Sequence, residues 1–344
     1  MIFWVQNNAI TDPCLNLALE EFCLRKLAPD RALLLTYVNK PSVIVGRNQN
    51  ILEEVNIPFA AQQGFHVVRR ISGGGAVYHD LGNLNFSFIQ AHNRRSFKTI
   101  RHTLEPVRLT LLKAGVTAEF NARNDLFVAG KKVSGNAQFS NTRRDIVHGT
   151  LLFESDLDGL RRSLASTVEL ISSRALKSIP SAVTNIADFL PHRVGLDDFR
   201  QMLLHTIGEK NGGFREMTVS DRHWQDISRL ADEKYRSWQW NFGKAPAFRI
   251  RRSAQTPVGY LEAAIAVESG RITSILIEET IADVNRLATL DTVLKGVPYH
   301  RETIQNRLSD LDLRSFGLTL TASQIAAYLC GQGIFGLAPG LQNA

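Results

Sequence analysis

The sequence predicts an α+β fold, in which mixed β-sheets carry flanking helices and a smaller α+β domain follows at the C-terminal end. The segment LNFSFIQ alternates apolar and polar residues with the period of a β-strand. Apolar residues recur at helical spacing along residues 100–111. Near Pro246 the pattern changes to two alternating strands joined by the turn VESGR, with helical stretches beyond. We therefore expect a main domain at residues 1–245 and an accessory domain at residues 246–344.

The elements of the main domain follow from local patterns. A helix is predicted at Pro13–Ala28, because Asp12 can cap it and proline suits the first helical position. Two short apolar runs, Ala32–Val38 and Ser42–Gly46, predict strands that pair with each other. The further predictions are strands at His66–Arg70, Leu84–Gln90 and Asp145–Phe153, a hairpin turning at Ala129–Gly130, and helices near Asp197–Ile207 and Ser220–Arg236.

The composition is that of a globular protein with a basic surface. Of 344 residues, 44% are hydrophobic and 21% charged, and the net charge of +7 favours an anionic partner such as a nucleotide. The sequence has no long apolar run and no basic stripe interleaved with aromatic residues, so we expect neither a membrane nor a nucleic acid as partner. Three scattered cysteines and the absence of a signal-peptide pattern predict a cytoplasmic location.

The loop RRISGGGAVYHDLGN, which begins at Arg69, is the strongest chemical feature. Its glycines can turn several backbone N–H groups toward one anion. It joins a strand to a strand, whereas P-loops and dinucleotide fingerprints join a strand to a helix, so both of those functions are disfavoured. A tight turn between strands with surface arginines is the alternative.

Other segments supply candidate charges. In GKKVSG, Lys131 and Lys132 alternate in direction, so one can point inward, where it needs an anion; two solvated lysines are the alternative. Arg47 suits a bidentate contact with phosphate or carboxylate, or a surface ion pair. Asp125 could hold Mg²⁺ beside a nucleotide. Valines of residues 43–45 and the phenylalanines of LNFSFIQ could wall an apolar tunnel.

Six segments occur in order along the chain: GRNQN, RRISGGGAVYHDLGN, RNDLFV, GKKVSGNAQ, HGTLLF and SWQWNFGKAPAF. Together they resemble the lipoate–protein ligase A family of the bacterial, two-domain type. The glycine loop combined with KVSG is specific to the lipoate ligase and octanoyltransferase group, which shares its catalytic fold with biotin ligases. The resemblance covers nearly the whole chain.

The resemblance implies a two-step reaction. Lipoate, or octanoate, and ATP would give the acyl-adenylate and pyrophosphate with the help of Mg²⁺. A lysine of an apo lipoyl domain would then take the acyl group and release AMP. The implied acceptors are the lipoyl domains of 2-oxoacid dehydrogenase E2 subunits and the glycine-cleavage H protein.

The resemblance also assigns residues. Lys132 is implied as the catalytic residue, in contact with the acyl carbonyl and the α-phosphate, and Asp125 as a magnesium ligand. The implied ATP or adenylate site comprises Arg70, Gly75, Ala76, Val77, Tyr78, Asn83, Asn124, Asp125 and Lys132. The implied lipoate site comprises Arg47, Ser72, Gly73, Gly74, His79, Gly135, His148 and Thr150.

Three other functions remain open from the sequence. An ATP-independent lipoyl or octanoyl transferase generally uses a cysteine nucleophile, but no cysteine lies between Cys23 and Cys330. A biotin ligase would share the adenylation chemistry, although the lysine motif fits it less well. A nucleotide- or RNA-binding protein without catalysis has only the net charge in its favour.

Overall fold

The computed structural model describes residues 1–28, 30–92, 99–166, 170–256, 259–279, 290–313 and 320–331. The chain forms two compact units. The first comprises residues 1–47, 59–165 and 178–237, and the second comprises residues 48–58, 166–177 and 238–344. The second unit therefore includes three segments that the sequence analysis placed in the main domain, namely residues 48–58, 166–177 and 238–245. The boundary at residue 246 stays a prediction, and residues 332–344 of the predicted accessory domain lie outside the described residues.

The first unit contains most of the elements. Its helices are α1 (Pro13–Arg25), α3 (Ile57–Gln62), α4 (Thr99–Lys113), α5 (Leu157–Ser163), α6 (Leu196–Lys210) and α7 (Asp221–Leu230), and helix α2 (Ile51–Glu54) belongs to the second unit. Its strands are β1 (Ile2–Val5), β2 (Leu33–Tyr37), β3 (Ser42–Val45), β4 (His66–Arg69), β5 (Val77–His79), β6 (Asn83–Ala91), β7 (Glu119–Phe120), β8 (Leu126–Val128), β9 (Lys131–Ser134), β10 (Asn136–Ser140), β11 (Arg144–Leu152) and β13 (Phe214–Met217).

A six-stranded sheet in the order β10-β11-β6-β2-β1-β13 forms the centre of this unit. It is mixed, because β1 runs parallel to both of its neighbours whereas β2, β6, β11 and β10 pair antiparallel in succession. The predicted α+β class is thus confirmed. Helix α1 begins at Pro13 with Asp12 as its N-cap, as predicted.

The predicted pairing of Ala32–Val38 with Ser42–Gly46 is wrong. Strand β2 lies between β1 and β6 in the six-stranded sheet, whereas β3 lies between β4 and β5 in a separate three-stranded sheet. Every residue of both strands is buried. A strand that is apolar on both faces suits a central position, where it needs a neighbour on each edge, and each of these strands finds both neighbours elsewhere.

The two faces of the six-stranded sheet differ in polarity. On one face Phe86 and Phe88 belong to the apolar core, together with residues of α4 and α6 such as Leu104 and Leu203. On the other face Asn85 and Ser87 are buried instead of solvated, and Ser87 contacts a side chain of α1. The period of two along β6 therefore separates an apolar core from a buried polar layer.

Two smaller sheets carry the loops of interest. In the sheet β4-β3-β5, the glycine loop leaves β4 and enters β5, so it joins strand to strand as predicted. In the sheet β7-β8-β9, β8 and β9 form the predicted hairpin. Its turn residues Ala129 and Gly130 have φ of 46° and 74°, the left-handed values that a tight two-residue hairpin turn requires.

The second unit has its own sheet and core. Strands β12 (Ile171–Ser173), β14 (Phe248–Thr256), β15 (Gly259–Glu268) and β16 (Arg271–Glu279) form an antiparallel sheet in that order. Helices α8 (Trp238–Asn241), α9 (Arg301–Ser309) and α10 (Ala322–Leu329) also belong to this unit, and residues 290–294 are helical. The turn in VESGR is present, with Ser269 and Gly270 at positive φ. Within the described ranges, no helix has the length and apolar character of a membrane span.

Gly149 provides a test of packing in the central sheet. A Cβ added there would lie 2.0 Å from Asn136 Oδ1 and 2.7 Å from the Phe86 ring. We expect Gly149→Ala to lower the free energy of unfolding by about 1–3 kcal/mol, measured by urea denaturation. Gly73→Ala is the matched control, because a Cβ at Gly73 would meet nothing within 4 Å. Equal stability of the two variants would contradict the packing argument.

Candidate functional site

Arg70 holds the glycine loop together from inside. Its Nε donates to Ser72 Oγ at 2.9 Å, its Nη1 to the Ile44 carbonyl at 2.9 Å, and its Nη2 to the Gly73 and Gly75 carbonyls at 2.6 and 2.8 Å. The residue is only 5% exposed, and burial lowers the pKa of its guanidinium to about 10 although nearby Glu20 raises it. Arg70 is therefore bound to the loop itself.

The carbonyls bound by Arg70 determine where the loop's N–H groups point. In a trans peptide the C=O of one residue and the N–H of the next point in opposite directions. The N–H groups of Gly74 and Ala76 therefore face away from the guanidinium. Ala76 N–H donates to Ser178 Oγ at 2.9 Å, whereas the N–H groups of Gly73, Gly74 and Gly75 have no acceptor among the described residues. The loop thus presents adjacent backbone donors, as an anion site requires.

Lys132 is the lysine that points inward. Its Nζ lies 3.1 Å from Asp125 Oδ2, and its side chain is 24% exposed, whereas Lys131 is exposed. Its backbone is fixed by hydrogen bonds with Ala182 and Thr184. A Cβ added to Gly135 would be 3.1 Å from Lys132 Nζ and 3.8 Å from the side chain of Val77. The ammonium group therefore lies over Gly135, next to the strand that follows the glycine loop.

Asp125 is held by a short polar turn. Its backbone N–H donates to Asn121 Oδ1 at 2.9 Å, and its Oδ1 accepts from Asn136 N–H at 3.4 Å. Asn124, with a φ of 64°, offers its carbonyl to Asn136 Nδ2 at 2.7 Å. Glycine at position 149 leaves the space that the Asn136 side chain occupies. The carboxylate that faces Lys132 is thus fixed from the neighbouring strand β10.

Ser72 and Thr150 connect the loop and the lysine hairpin to strand β11. Ser72 Oγ lies 2.7 Å from His148 Nε2, and His148 Nδ1 lies 3.1 Å from Glu20 Oε2 on helix α1. Thr150 Oγ1 accepts from Gly135 N–H at 3.2 Å. The structure therefore brings together most of the implied lipoate-site residues on the polar face of the central sheet.

His79 is a buried, neutral hydrogen-bond donor. Asn39 Nδ2 lies 2.9 Å from His79 Nδ1, and the Asn39 Oδ1 accepts from Asn16, so the amide donates and Nδ1 accepts. The ring's proton is then on Nε2, which has no hydrogen-bond partner among the described residues. Burial, with added repulsion from Arg70 and His148, lowers the pKa of His79 to about 3.

Several implied residues lie beside the loop without turning their side chains to it. Tyr78 packs its ring against Phe65, and its hydroxyl lies near Gly159 of α5. The Asn83 Nδ2 donates to Asn85, and its Oδ1 has no partner among the residues described. Arg47 is exposed, with its guanidinium 6.0 Å from the centre of the Phe139 ring. Their roles in binding stay predictions.

Phe86 and Phe88 lie on the face of the central sheet opposite the polar face that carries Ser87, His148 and Thr150. They lie in the core on the face of β6 opposite Ser87, because successive side chains of a strand alternate between its faces. Their role as walls of an apolar tunnel for the acyl chain stays a prediction.

Sequence reasoning missed four residues of this site: Glu20, Asn39, Asn136 and Ser178. Glu20 and the adjacent Glu21 are carboxylates of a helix, where such residues ordinarily face water, so no sequence signal singles out Glu20. Asn136 follows Gly135 directly in the quoted motif. Ser178 lies about a hundred residues from the loop it contacts, and its neighbours carry no pattern that points to the glycines.

The low pKa of His79 predicts a pH effect on stability. In the unfolded chain His79 takes up a proton near pH 6.5, whereas in the folded protein it resists protonation down to about pH 3. Its contribution to stability is therefore complete above pH 6.5 and is lost as the pH falls towards 3, with a slope of up to about 1.4 kcal/mol per pH unit. NMR should show the His79 ring neutral at pH 5. Titration of this ring near pH 6.5 would contradict the conclusion that His79 is buried and neutral.

Comparison with known proteins places this chain in a family. The chain matches the family model described as the lipoyl protein ligase A/B catalytic domain over residues 12–208, and that of the bacterial lipoate protein ligase C-terminus over residues 245–329. It is 40% identical over 317 residues to lipoate-protein ligase LplJ of Bacillus subtilis, covering 92% of this chain and 96% of that protein.

Two solved structures are similar. A lipoate-protein ligase A bound with ATP is 28% identical with a TM-score of 0.61, covering 71% of this chain and 98% of that one. A bi-partite lipoate protein ligase from Thermoplasma acidophilum, analysed with its E2 lipoyl domain, is 27% identical with a TM-score of 0.59, covering 71% and 95%. The chain therefore belongs to the lipoate–protein ligase family.

Proposed function

We propose that the protein is an ATP-dependent lipoate–protein ligase. In the first step a carboxylate oxygen of lipoate, or of octanoate, attacks the α-phosphorus of ATP, and the bond to the leaving pyrophosphate breaks. In the second step the neutral amine of an acceptor lysine attacks the acyl carbon of lipoyl-AMP. The carbon–oxygen bond to AMP then breaks, and an amide forms. A free carboxylate is a poor acyl donor, which is why ATP is consumed.

The observation that carries this proposal is the position of the Lys132 ammonium. It lies over Gly135, adjacent to a loop whose N–H groups at Gly73, Gly74 and Gly75 lack acceptors among the described residues. A single anion entering between them would meet a positive charge on one side and backbone donors on the other. The two reactants of the first step are both anions, so such a site opposes their mutual repulsion.

Lys132 and the loop then have distinct tasks. Lys132 can contact the acyl carboxylate and the α-phosphate together and stabilise the charge that shifts between them. The loop's rigid backbone, fixed by Arg70, keeps the adenylate in one orientation. His79 adds an N–H donor at Nε2, and its lowered pKa keeps the ring uncharged at neutral pH.

Asp125 is the residue that would help to hold Mg²⁺. Among the residues described, no group of three or more His, Cys, Asp or Glu side chains is arranged as a metal site. Mg²⁺ at nucleotide sites commonly takes one or two carboxylates together with phosphate oxygens and water, so Asp125 and the phosphates of ATP form a fitting donor set. Bound there, the ion would neutralise charge on the phosphates. In the absence of ATP, the Asp125 side chain orients Lys132.

The cysteines favour this reaction over transfer through a thioester. Cys14 and Cys23 are buried in α1, and burial raises the pKa of both thiols, that of Cys14 to about 12. Burial likewise raises the pKa of Cys330 to about 12. A thiol with so high a pKa supplies little thiolate nucleophile. The match to a ligase C-terminal domain points the same way.

We further propose two domains with separate roles and a set of acceptor proteins. Residues 1–245 would form the catalytic domain and residues 246–344 the accessory domain, which the matched ranges support. The acceptors would be apo lipoyl domains of 2-oxoacid dehydrogenase E2 subunits and the glycine-cleavage H protein. The free thiols suit the reducing cytoplasm.

The function is tested by incubating the protein with lipoate, Mg·ATP and a purified apo lipoyl domain. We expect pyrophosphate release that depends on lipoate, and a mass increase of one lipoyl group on the acceptor. Omission of the acceptor should leave lipoyl-AMP on the enzyme. Acyl transfer from an acylated carrier protein without ATP would instead identify a transferase.

Lys132→Ala should remove adenylate formation and leave the fold intact. Because the half-buried ammonium supplies the charge at the reacting oxygens, we expect the rate of lipoyl-AMP synthesis to fall by about 10²–10³. Lys131→Ala is the matched control, since Lys131 is the neighbouring exposed lysine of the same strand, and its rate should be unchanged. Circular dichroism would confirm folding of both variants. Similar rates for the two would exclude the role of Lys132.

A further inference from the structure

Glu20 is a carboxylate buried inside the first unit, although it belongs to a helix. It is 1% exposed and lies on the side of α1 that covers the polar face of the central sheet. Three donors converge on its two oxygens: Tyr37 O–H at 3.0 Å, Ser87 O–H, and His148 Nδ1 at 3.1 Å from Oε2. Burial raises the pKa of Glu20, but the interactions with His148, Ser87 and Tyr37 outweigh it and hold that pKa below its usual value.

A chain of hydrogen bonds leads from this carboxylate to the glycine loop. Because a carboxylate can only accept, His148 Nδ1 must carry a proton. Its Nε2 lies 2.7 Å from Ser72 Oγ, within hydrogen-bond distance. Ser72 Oγ also accepts from Arg70 Nε, and a hydroxyl can either donate its own proton to Nε2 or accept a second hydrogen bond from it. A continuous path of hydrogen bonds thus joins Glu20 to the start of the glycine loop.

We propose that Glu20 is a positioning residue for adenylate formation, acting through His148 on Ser72 and hence on the orientation of the glycine loop. The inference rests on the proposed ligase function and adds a residue of helix α1 to it. Arg70 fixes the carbonyls of Gly73 and Gly75, but the start of the loop depends on Ser72. Catalytic groups act at full strength only when their supporting contacts hold them within a few tenths of an ångström.

The order of serine, histidine and carboxylate is also that of a nucleophilic triad. Two observations speak against a nucleophile here. Ser72 is 1% exposed, and its oxygen accepts a hydrogen bond from Arg70 Nε. An acyl group on Ser72 would have no room without displacement of the loop. Incubation with lipoyl-AMP should therefore leave the mass of the enzyme unchanged after denaturation, and a covalent adduct on Ser72 would overturn the positioning role.

Glu20→Gln is the direct test, with Glu21→Gln as its matched control. An amide has one acceptor oxygen where the carboxylate has two, so it cannot accept from His148, Tyr37 and Ser87 with the geometry of the carboxylate. We expect the kcat of lipoyl-AMP formation to fall by about 10–100-fold, with a smaller change in the KM for ATP. Glu21 is the adjacent buried carboxylate, but its partners are Arg25, Lys234 and Tyr235, outside the chain to the loop. Glu21→Gln should lose stability and keep its kcat.

A double-mutant cycle separates positioning from a general loss of structure. If Glu20 acts through Ser72, Glu20→Gln should cost much less activity in a Ser72→Ala background than in the wild type. Additive losses would overturn the proposal. A kcat for Glu20→Gln equal to that of Glu21→Gln would do the same.

Nitrogen-15 NMR of the His148 ring supplies a readout that needs neither activity nor a variant. The wild-type ring should carry a proton on Nδ1 that is hydrogen-bonded to Glu20. A wild-type ring without a proton on Nδ1 would overturn the proposal even if the variant did not fold. A protein that makes no lipoyl-AMP, yet shows the Nδ1 proton, would refute the ligase function and leave the hydrogen-bond chain intact.

Discussion

A buried guanidinium is the constraint on which the site depends. Arg70 cannot be removed from water without acceptors for its N–H groups, and the carbonyls of the loop around it supply them. Each carbonyl that turns inward sends the next N–H outward, which is the arrangement that the proposed anion site uses. The left-handed φ of 89° at Gly74 is part of this arrangement, and a Cβ there would lie 3.0 Å from the guanidinium.

The sequence predicted those parts of the structure that depend on local periodicity. Alternation along KKVS correctly separated Lys132 from Lys131, and the glycine loop was correctly placed between strands. Periodicity could not tell which strands pair, because β2 and β3 are apolar on both faces and each could have accepted the other as a neighbour. Nor could it reveal Glu20, since a carboxylate in a helix ordinarily faces water and only the long-range contacts with Ser87 and His148 show otherwise.

The polar layer beneath α1 explains why so many of the site's groups are uncharged or paired. Ser87 and Asn85 on β6 would be solvated on an ordinary two-layer sheet, but helix α1 covers them. Most polar groups in that layer find a partner within the protein, as Ser87 does with Glu20, whereas Asn83 Oδ1 and His79 Nε2 have none among the described residues. In the proposed positioning role of Glu20, this network would transmit the position of the helix to the loop more rigidly than an apolar contact of the same area would.

The ion pair between Lys132 and Asp125 suits a site that must bind its ligands and later release them. Lys132 is partly exposed, so water screens the ion pair and Asp125 holds the ammonium only moderately. The carboxylate of Asp125 keeps the ammonium aimed over Gly135. In the proposed reaction, ATP would bring several negative charges to the same place and could draw the ammonium away from a single carboxylate. Asp125 would bind the lysine again once pyrophosphate and later AMP depart, so the charge that promotes the first step would not retain the products of the second.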